Sequence, residues 1–132
     1  MHSRIYDTSA LLRFINDEQG SERVNSLLRE GVAAGRKGKA SCLSAFEFLF
    51  SIGRRDIKST TGALAIFEDV IDFIPTYFET AQRAAFLKLK YSGVNLSLAD
   101  AIIIQTGIEN NLEVVPCDKA WQNVKEAKVR VV

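Results

Sequence analysis

Apolar residues fall in short runs and helical stripes along the chain, and the punctuation between them predicts short strands alternating with longer helices. Residues 3–6 read as a first strand, after which Asp7, Thr8 and Ser9 offer capping oxygens to a helix through 10–15. A second helix opens at Ser21 with Val24, Leu27, Leu28 and Val32 on one stripe, and the loop over 31–38 ends it. Residues 40–43 are expected as a second strand. Ser44 then caps a helix through Ile52 that is apolar almost all round, which predicts burial, and that stops at Gly53, Arg54 and Arg55.

The spacing of Leu64, Phe67, Val70 and Ile71 predicts a helix over 59–71, followed by an extended segment over 72–75. Residues 78–91 form an amphipathic helix with Ala81, Ala85 and Leu89 on one side and Arg83, Lys88 and Lys90 on the other. Ser97 and Asp100 make a capping-box pattern before the apolar stretch to Ile108. A strand over 113–116, a short helix over 118–124 and a closing strand over 128–132 complete the pattern. Strands separated by helices imply parallel pairing, so the expected class is α/β: one domain over 1–132, with a mostly parallel sheet of four to five short strands flanked by helices.

Composition narrows the chemistry. With 132 residues, 47% hydrophobic and 25% charged, the chain has the makeup of one soluble domain, without repeat or linker. Apolar runs such as 101–104 are far short of the roughly 20 residues that cross a bilayer, and no leader pattern opens the chain; a cytoplasmic protein is expected. Cys42 and Cys117 are too few for a disulfide framework or a thiolate zinc site and are expected as small buried hydrophobes. The single histidine, His2, sits in an end expected to fray, which argues against hydroxyl or thiol nucleophiles activated by histidine and against two-histidine ribonucleases. A net charge of +1 carries no argument about nucleic acid by itself.

Four acids stand in apolar surroundings: Asp7 after Ile5 and Tyr6, Glu47 between Phe46 and Phe48, Asp100 before Ala101 and Ile102, and Asp118 after Val114, Val115, Pro116 and Cys117. A carboxylate costs several kcal/mol in such surroundings unless it is paired, hydrogen-bonded, protonated or bound to a metal. Local readings exist for three of them: Asp7 as a helix N-cap, Asp100 as half of the capping box, Asp118 as the cap of a short helix. Glu47 caps nothing and has no Lys or Arg three or four places away on its own helix. Ligands of open parallel sheets bind beyond the carboxyl ends of the strands, where Asp7 and Asp118 are expected. If the four acids converge there, they make an all-oxygen site suited to Mg²⁺ or Mn²⁺, ions that activate water and neutralise charge at a phosphoryl oxygen.

The segments Tyr6-Asp7-Thr8-Ser9, Ser44-Ala45-Phe46-Glu47 and Ser97-Leu98-Ala99-Asp100-Ala101, with Asp118 after the strand Val114-Val115-Pro116-Cys117, resemble the PIN domain over nearly the whole chain, and more narrowly the VapC-type toxin ribonucleases. The resemblance implies a metal-dependent endoribonuclease, a homodimer, held inactive by a cognate antitoxin on a separate chain. It implies Asp7, Glu47, Asp100 and Asp118 as catalytic, metal-binding acids, with Ser9 supporting Asp7. Near the fourth acid the chain departs from the family: Pro116 stands where a Thr or Ser is frequent, and Ala120 and Trp121 where a second Asp and a Phe are frequent.

Cations must offset four negative charges before RNA can approach, and Arg54, Arg55 and Lys119 are the candidate phosphate contacts. Arg36, Lys37, Lys39 and Lys58 are further candidates. The phenylalanines read as core and interface. A phosphoacceptor signalling domain would need an acidic pair after the first strand, where Thr8 and Ser9 follow Asp7 instead. A competing reading keeps the fold and gives up catalysis, as an RNA-binding or protein-interaction module.

Overall fold

The computed structural model describes residues 3–132, so the expectation for His2 lies outside the described residues. Five strands, β1 (Arg4–Tyr6), β2 (Gly38–Ser41), β3 (Ile71–Ile74), β4 (Glu113–Val115) and β5 (Lys128–Val129), form one sheet in the order β3-β2-β1-β4-β5. Every pairing is parallel, with Ile5 beside Lys39 on one flank and beside Val114 on the other. Six helices flank the sheet: α1 (Thr8–Ile15), α2 (Ser21–Ala33), α3 (Cys42–Arg55), α4 (Ser59–Val70), α5 (Phe78–Lys90) and α6 (Leu98–Glu109).

The pleat sends alternate residues of β1 into two cores. Tyr6 packs with Leu11, Leu28, Phe48 and Phe67 from α1 to α4, while Ile5 packs with Leu87, Ile103 and Ile104 from α5 and α6. Arg4, the first residue of this strand, is also buried; it pairs with Glu113 at 2.9 Å and Glu30 at 3.3 Å. Arg130 reaches the same Glu113 oxygen at 2.9 Å. Burial pushes the Glu113 carboxyl up, but hydrogen bonds from Arg4 and Arg130 outweigh it and hold the group below the usual carboxylate range.

Several expectations need correction. β2 begins at Gly38, and Ser41, not Ser44, caps α3 by accepting from the Leu43 amide at 3.1 Å. The helix buried on every side is α6, whose residues 101–107 are all buried. In α3 only Ser44, Phe48 and Ile52 are buried, whereas Phe46 and Phe50 are 68% and 57% exposed and stack on each other. In α5 the buried residues are Thr80, Ala84 and Leu87, so Ala81, Ala85 and Leu89 face outward; Thr80 is tolerated inside because its hydroxyl donates to Glu109 at 2.8 Å. Cys42 is exposed and Cys117 half-buried, so neither is the buried hydrophobe expected. The closing strand ends at Val129, although the Val132 amide still donates to the Pro116 carbonyl at 3.0 Å.

Gly107 lets α6 lie against the sheet, since a Cβ there would stand 2.5 Å from Val114 Cγ2 and 3.3 Å from Ile5 Cγ2. Gly107→Ala gains helix propensity but must push α6 away from two fully buried side chains. Urea denaturation is expected to show a net loss of about 1–3 kcal/mol, the usual cost of overpacking a core; unchanged or increased stability would contradict this close approach.

Candidate metal centre

Beyond Tyr6 the ladder runs one residue further, because the Asp7 amide donates to the Val115 carbonyl at 3.0 Å. This fixes Asp7 between the ends of β1 and β4, where the strand order turns back and open parallel sheets place their ligands. Asp7 occupies the N-cap position of α1 in extended conformation, and its carbonyl accepts from Ala10 and Leu11, yet its side chain makes no capping hydrogen bond. Asp7 is 7% exposed, and its Oδ2 accepts a hydrogen bond from Ser9 Oγ at 2.5 Å. Burial pushes it up to about 6 from 3.8; the charges of Asp100 and Glu47 add to the rise, and the Ser9 hydroxyl and Thr8 amide oppose it.

Glu47 is half-buried and is held from another helix: Thr8 Oγ1 lies 2.7 Å from its Oε1 and 3.0 Å from Ser44 Oγ. The local partner that α3 lacks therefore comes from the first turn of α1. Asp100 forms the expected capping box: its amide donates to Ser97 Oγ at 3.1 Å, and its Oδ2 accepts from the Ser97 amide at 2.9 Å. That box uses one carboxylate oxygen and leaves Oδ1 outside it. Asp118 differs from the other three. It is exposed, not apolar in its surroundings, and its Oδ1 accepts from the Ala120 amide at 2.9 Å to cap a short 3-10 helix (Lys119–Asn123).

The structure thus brings Glu47 and Asp100 within electrostatic reach of Asp7, with Asp118 three residues beyond the end of β4. Among the described residues, no three His, Cys, Asp or Glu side chains stand close enough to ligate one ion together. Mg²⁺ keeps several of its waters and binds through one or two carboxylates plus substrate phosphate, so a closed protein cage is not required of such a site. An all-oxygen donor set, with one carboxyl whose proton affinity is raised by burial and by its acidic neighbours, fits a hard divalent cation. Of the candidate cations, Arg54 is exposed and lies over the Phe50 ring at 5.3 Å, Arg55 is exposed at the end of α3, and Lys119 is exposed beside Asp118. Sequence reasoning missed Thr8 as the partner of Glu47 and Ser44 as the partner of Thr8. The available signal was the three-residue spacing of Ser44 and Glu47, which puts both on one helix face.

The model of the PIN domain family matches residues 4–127. The chain belongs to the PIN domain family. Solved structures share this PIN fold at low identity: VapBC2 from Rickettsia felis bound to a promoter DNA fragment (14% identity, 97% of each chain, TM-score 0.77) and DNA-bound VapBC from Salmonella typhimurium (12%, covering 99% and 98% of the two chains, 0.77). A third is VapC20 of Mycobacterium tuberculosis, a sarcin-ricin loop cleaving toxin (16%, covering 97% and 99%, 0.74). No curated protein matches the sequence.

The raised Asp7 carboxyl sets a pH dependence for this PIN domain in the absence of metal. Because the folded group holds its proton to about pH 6 and the unfolded group only to about 3.8, folding stability falls as pH rises through that window and then levels off. The gap corresponds to about 3 kcal/mol. Asp7→Asn is expected to flatten this fall and to raise stability near pH 7 by an amount of that order, measured by denaturation in EDTA from pH 4 to 7.5. A variant less stable than wild type at pH 7 would mean that the Asp7 carboxylate is a structural support.

Proposed function

We propose that this PIN domain is a divalent-cation-dependent endoribonuclease and the toxin of a toxin–antitoxin pair, working in the cytoplasm. The observation that carries the reading is the Asp7 carboxyl, buried at the end of the central strand with its proton affinity raised by burial and by the charges of Asp100 and Glu47. A buried Asp7 on which the charges of Asp100 and Glu47 also act is costly, and a cation beside it would offset that cost. Fold neighbours that are VapBC complexes, and one that cleaves the sarcin-ricin loop, support the same reading.

Asp7, Glu47 and Asp100 would surround a hydrated Mg²⁺ or Mn²⁺, one or two of them directly and the rest through its waters, with Asp118 assisting from the rim, and Ser9 orients Asp7 through its hydrogen bond to Oδ2. When bound, the ion lowers the pKa of water and offsets charge on a phosphoryl oxygen. In the reaction this site would serve, a bond from a water oxygen to phosphorus would form as the bond from phosphorus to the 3′ oxygen breaks, with a proton from the water ending on the leaving oxygen, to leave 5′-phosphate and 3′-hydroxyl ends. Arg54, Arg55 and Lys119 supply positive charge toward the RNA backbone.

Two exposed apolar faces suit the partners this reading requires, a second copy of the chain and an antitoxin. One carries Phe46, Phe50 and Ile57 around a cavity of about 490 Å³; the other carries Phe78, Phe86 and Leu89 on α5. Residues 64–74 send Phe67 and Ile71 inward and leave Ile66, 46% exposed, facing outward. Light scattering at micromolar concentration is expected to give twice the chain mass; a monomer mass would refute the homodimer.

The decisive assay is cleavage of end-labelled cellular RNA with Mg²⁺, Mn²⁺ or EDTA. Asp7→Asn is expected to abolish cleavage and Asp118→Asn to reduce it about tenfold, in keeping with a group that assists from the rim. Cleavage that persists in EDTA, or products ending in a cyclic phosphate, would refute the mechanism. Mn²⁺ binding without cleavage of any RNA would favour a non-catalytic binding module, in which Asp118 serves only as a helix cap and Pro116 takes the place of a catalytic hydroxyl.

A further inference from the structure

Glu47 has no cation or cap on its own helix, and what steers it comes from outside. Thr8 Oγ1 stands between Glu47 Oε1 and Ser44 Oγ, at 2.7 and 3.0 Å. A hydroxyl has one proton to give, and an ionised carboxylate has none. The Thr8 proton therefore points to Glu47, and the Thr8–Ser44 contact is made by the Ser44 proton pointing to Thr8 Oγ1. The hydrogen bonds run in one direction, from Ser44 to Thr8 to Glu47.

Both hydroxyls are removed from water, Ser44 entirely and Thr8 to 8% exposure, whereas Glu47 keeps access to solvent. Buried hydroxyls bring a desolvation cost that apolar residues of the same size would not, so mere filling of the α1–α3 contact does not account for the pair. What the pair does is fix one oxygen of Glu47. Oε1 is held by Thr8, Oε2 is left uncommitted, and the Ser44 bond polarises the Thr8 hydroxyl into a stronger donor.

We propose that Thr8 and Ser44 are positioning residues that hold Glu47 in the orientation in which its free oxygen takes up the divalent cation. This rests on the metal-centre reading given under Proposed function. Neither residue touches the ion; both act through the Glu47 side chain.

The test is calorimetric titration of Mn²⁺ into the full chain, with wild type, Thr8→Val, Thr8→Ser, Ser44→Ala and Glu47→Ala compared, and melting curves in EDTA run on each. Thr8→Val is expected to weaken Mn²⁺ binding about 10–100-fold, the usual effect of removing a group that orients a metal ligand. Thr8→Ser, which keeps the hydroxyl, is expected to restore affinity to within about threefold of wild type, and Ser44→Ala to weaken it by about 3–10-fold. In a Glu47→Ala background Thr8→Val and Ser44→Ala are expected to have no further effect on affinity, which a general packing defect would not reproduce. Wild-type affinity in Thr8→Val and Ser44→Ala, while Glu47→Ala binds weakly, would overturn the positioning role alone, even if melting temperatures fall. Absence of Mn²⁺ binding by wild type would overturn the metal centre and this inference together.

Discussion

Everything in this molecule hangs on a three-residue strand hydrogen-bonded on both sides. β1 has β2 on one flank and β4 on the other, and each of its residues is buried. Ile5 serves one core and Tyr6 the other, so the two helical layers are joined through adjacent residues of a single segment. Where that strand stops, the chain has to leave the sheet, and the residue at the exit is Asp7. Its position follows from backbone pairing with Val115, independently of what its carboxyl does.

The same strand carries opposite electrostatics at its two ends. At its start Arg4 and Arg130 neutralise Glu113, an arrangement in which every charge has a partner at about 3 Å. At its end the Asp7 carboxyl has one hydroxyl for company and two further acids in range. The first arrangement contributes to stability and the second detracts from it. A fold that tolerates the second only at the carboxyl edge of its sheet has concentrated its unfavourable charge where a ligand can reach it.

Much of the architecture was legible in the residues. Element order, parallel pairing and the capping box at Ser97 follow from local pattern and need no knowledge of distant neighbours. Faces were harder to read. The stripe Ala81, Ala85, Leu89 is as regular as any buried one, yet α5 turns it outward because Thr80 finds Glu109 and can go inside. For the candidate centre, burial of Asp7 was foreseeable from Ile5 and Tyr6 ahead of it, and Asp118 was misjudged because a cap at a strand end needs no apolar pocket. The bond from Thr8 to Glu47 spans 39 positions in sequence, and no local pattern encodes it.

The pairing of β1 with β4 joins residues 109 positions apart. A ribosome delivers β1 well before β4, so until residue 115 has been made the first strand has only one of its two flanking partners available. Contacts this distant close late because loop entropy must be met before they are formed. Until β4 pairs, the Val115 carbonyl that holds the Asp7 amide is missing from the edge. Assembly of the acidic edge thus waits on β4, and a product that stops short of β4 carries Asp7, Glu47 and Asp100 without the sheet edge that gathers them.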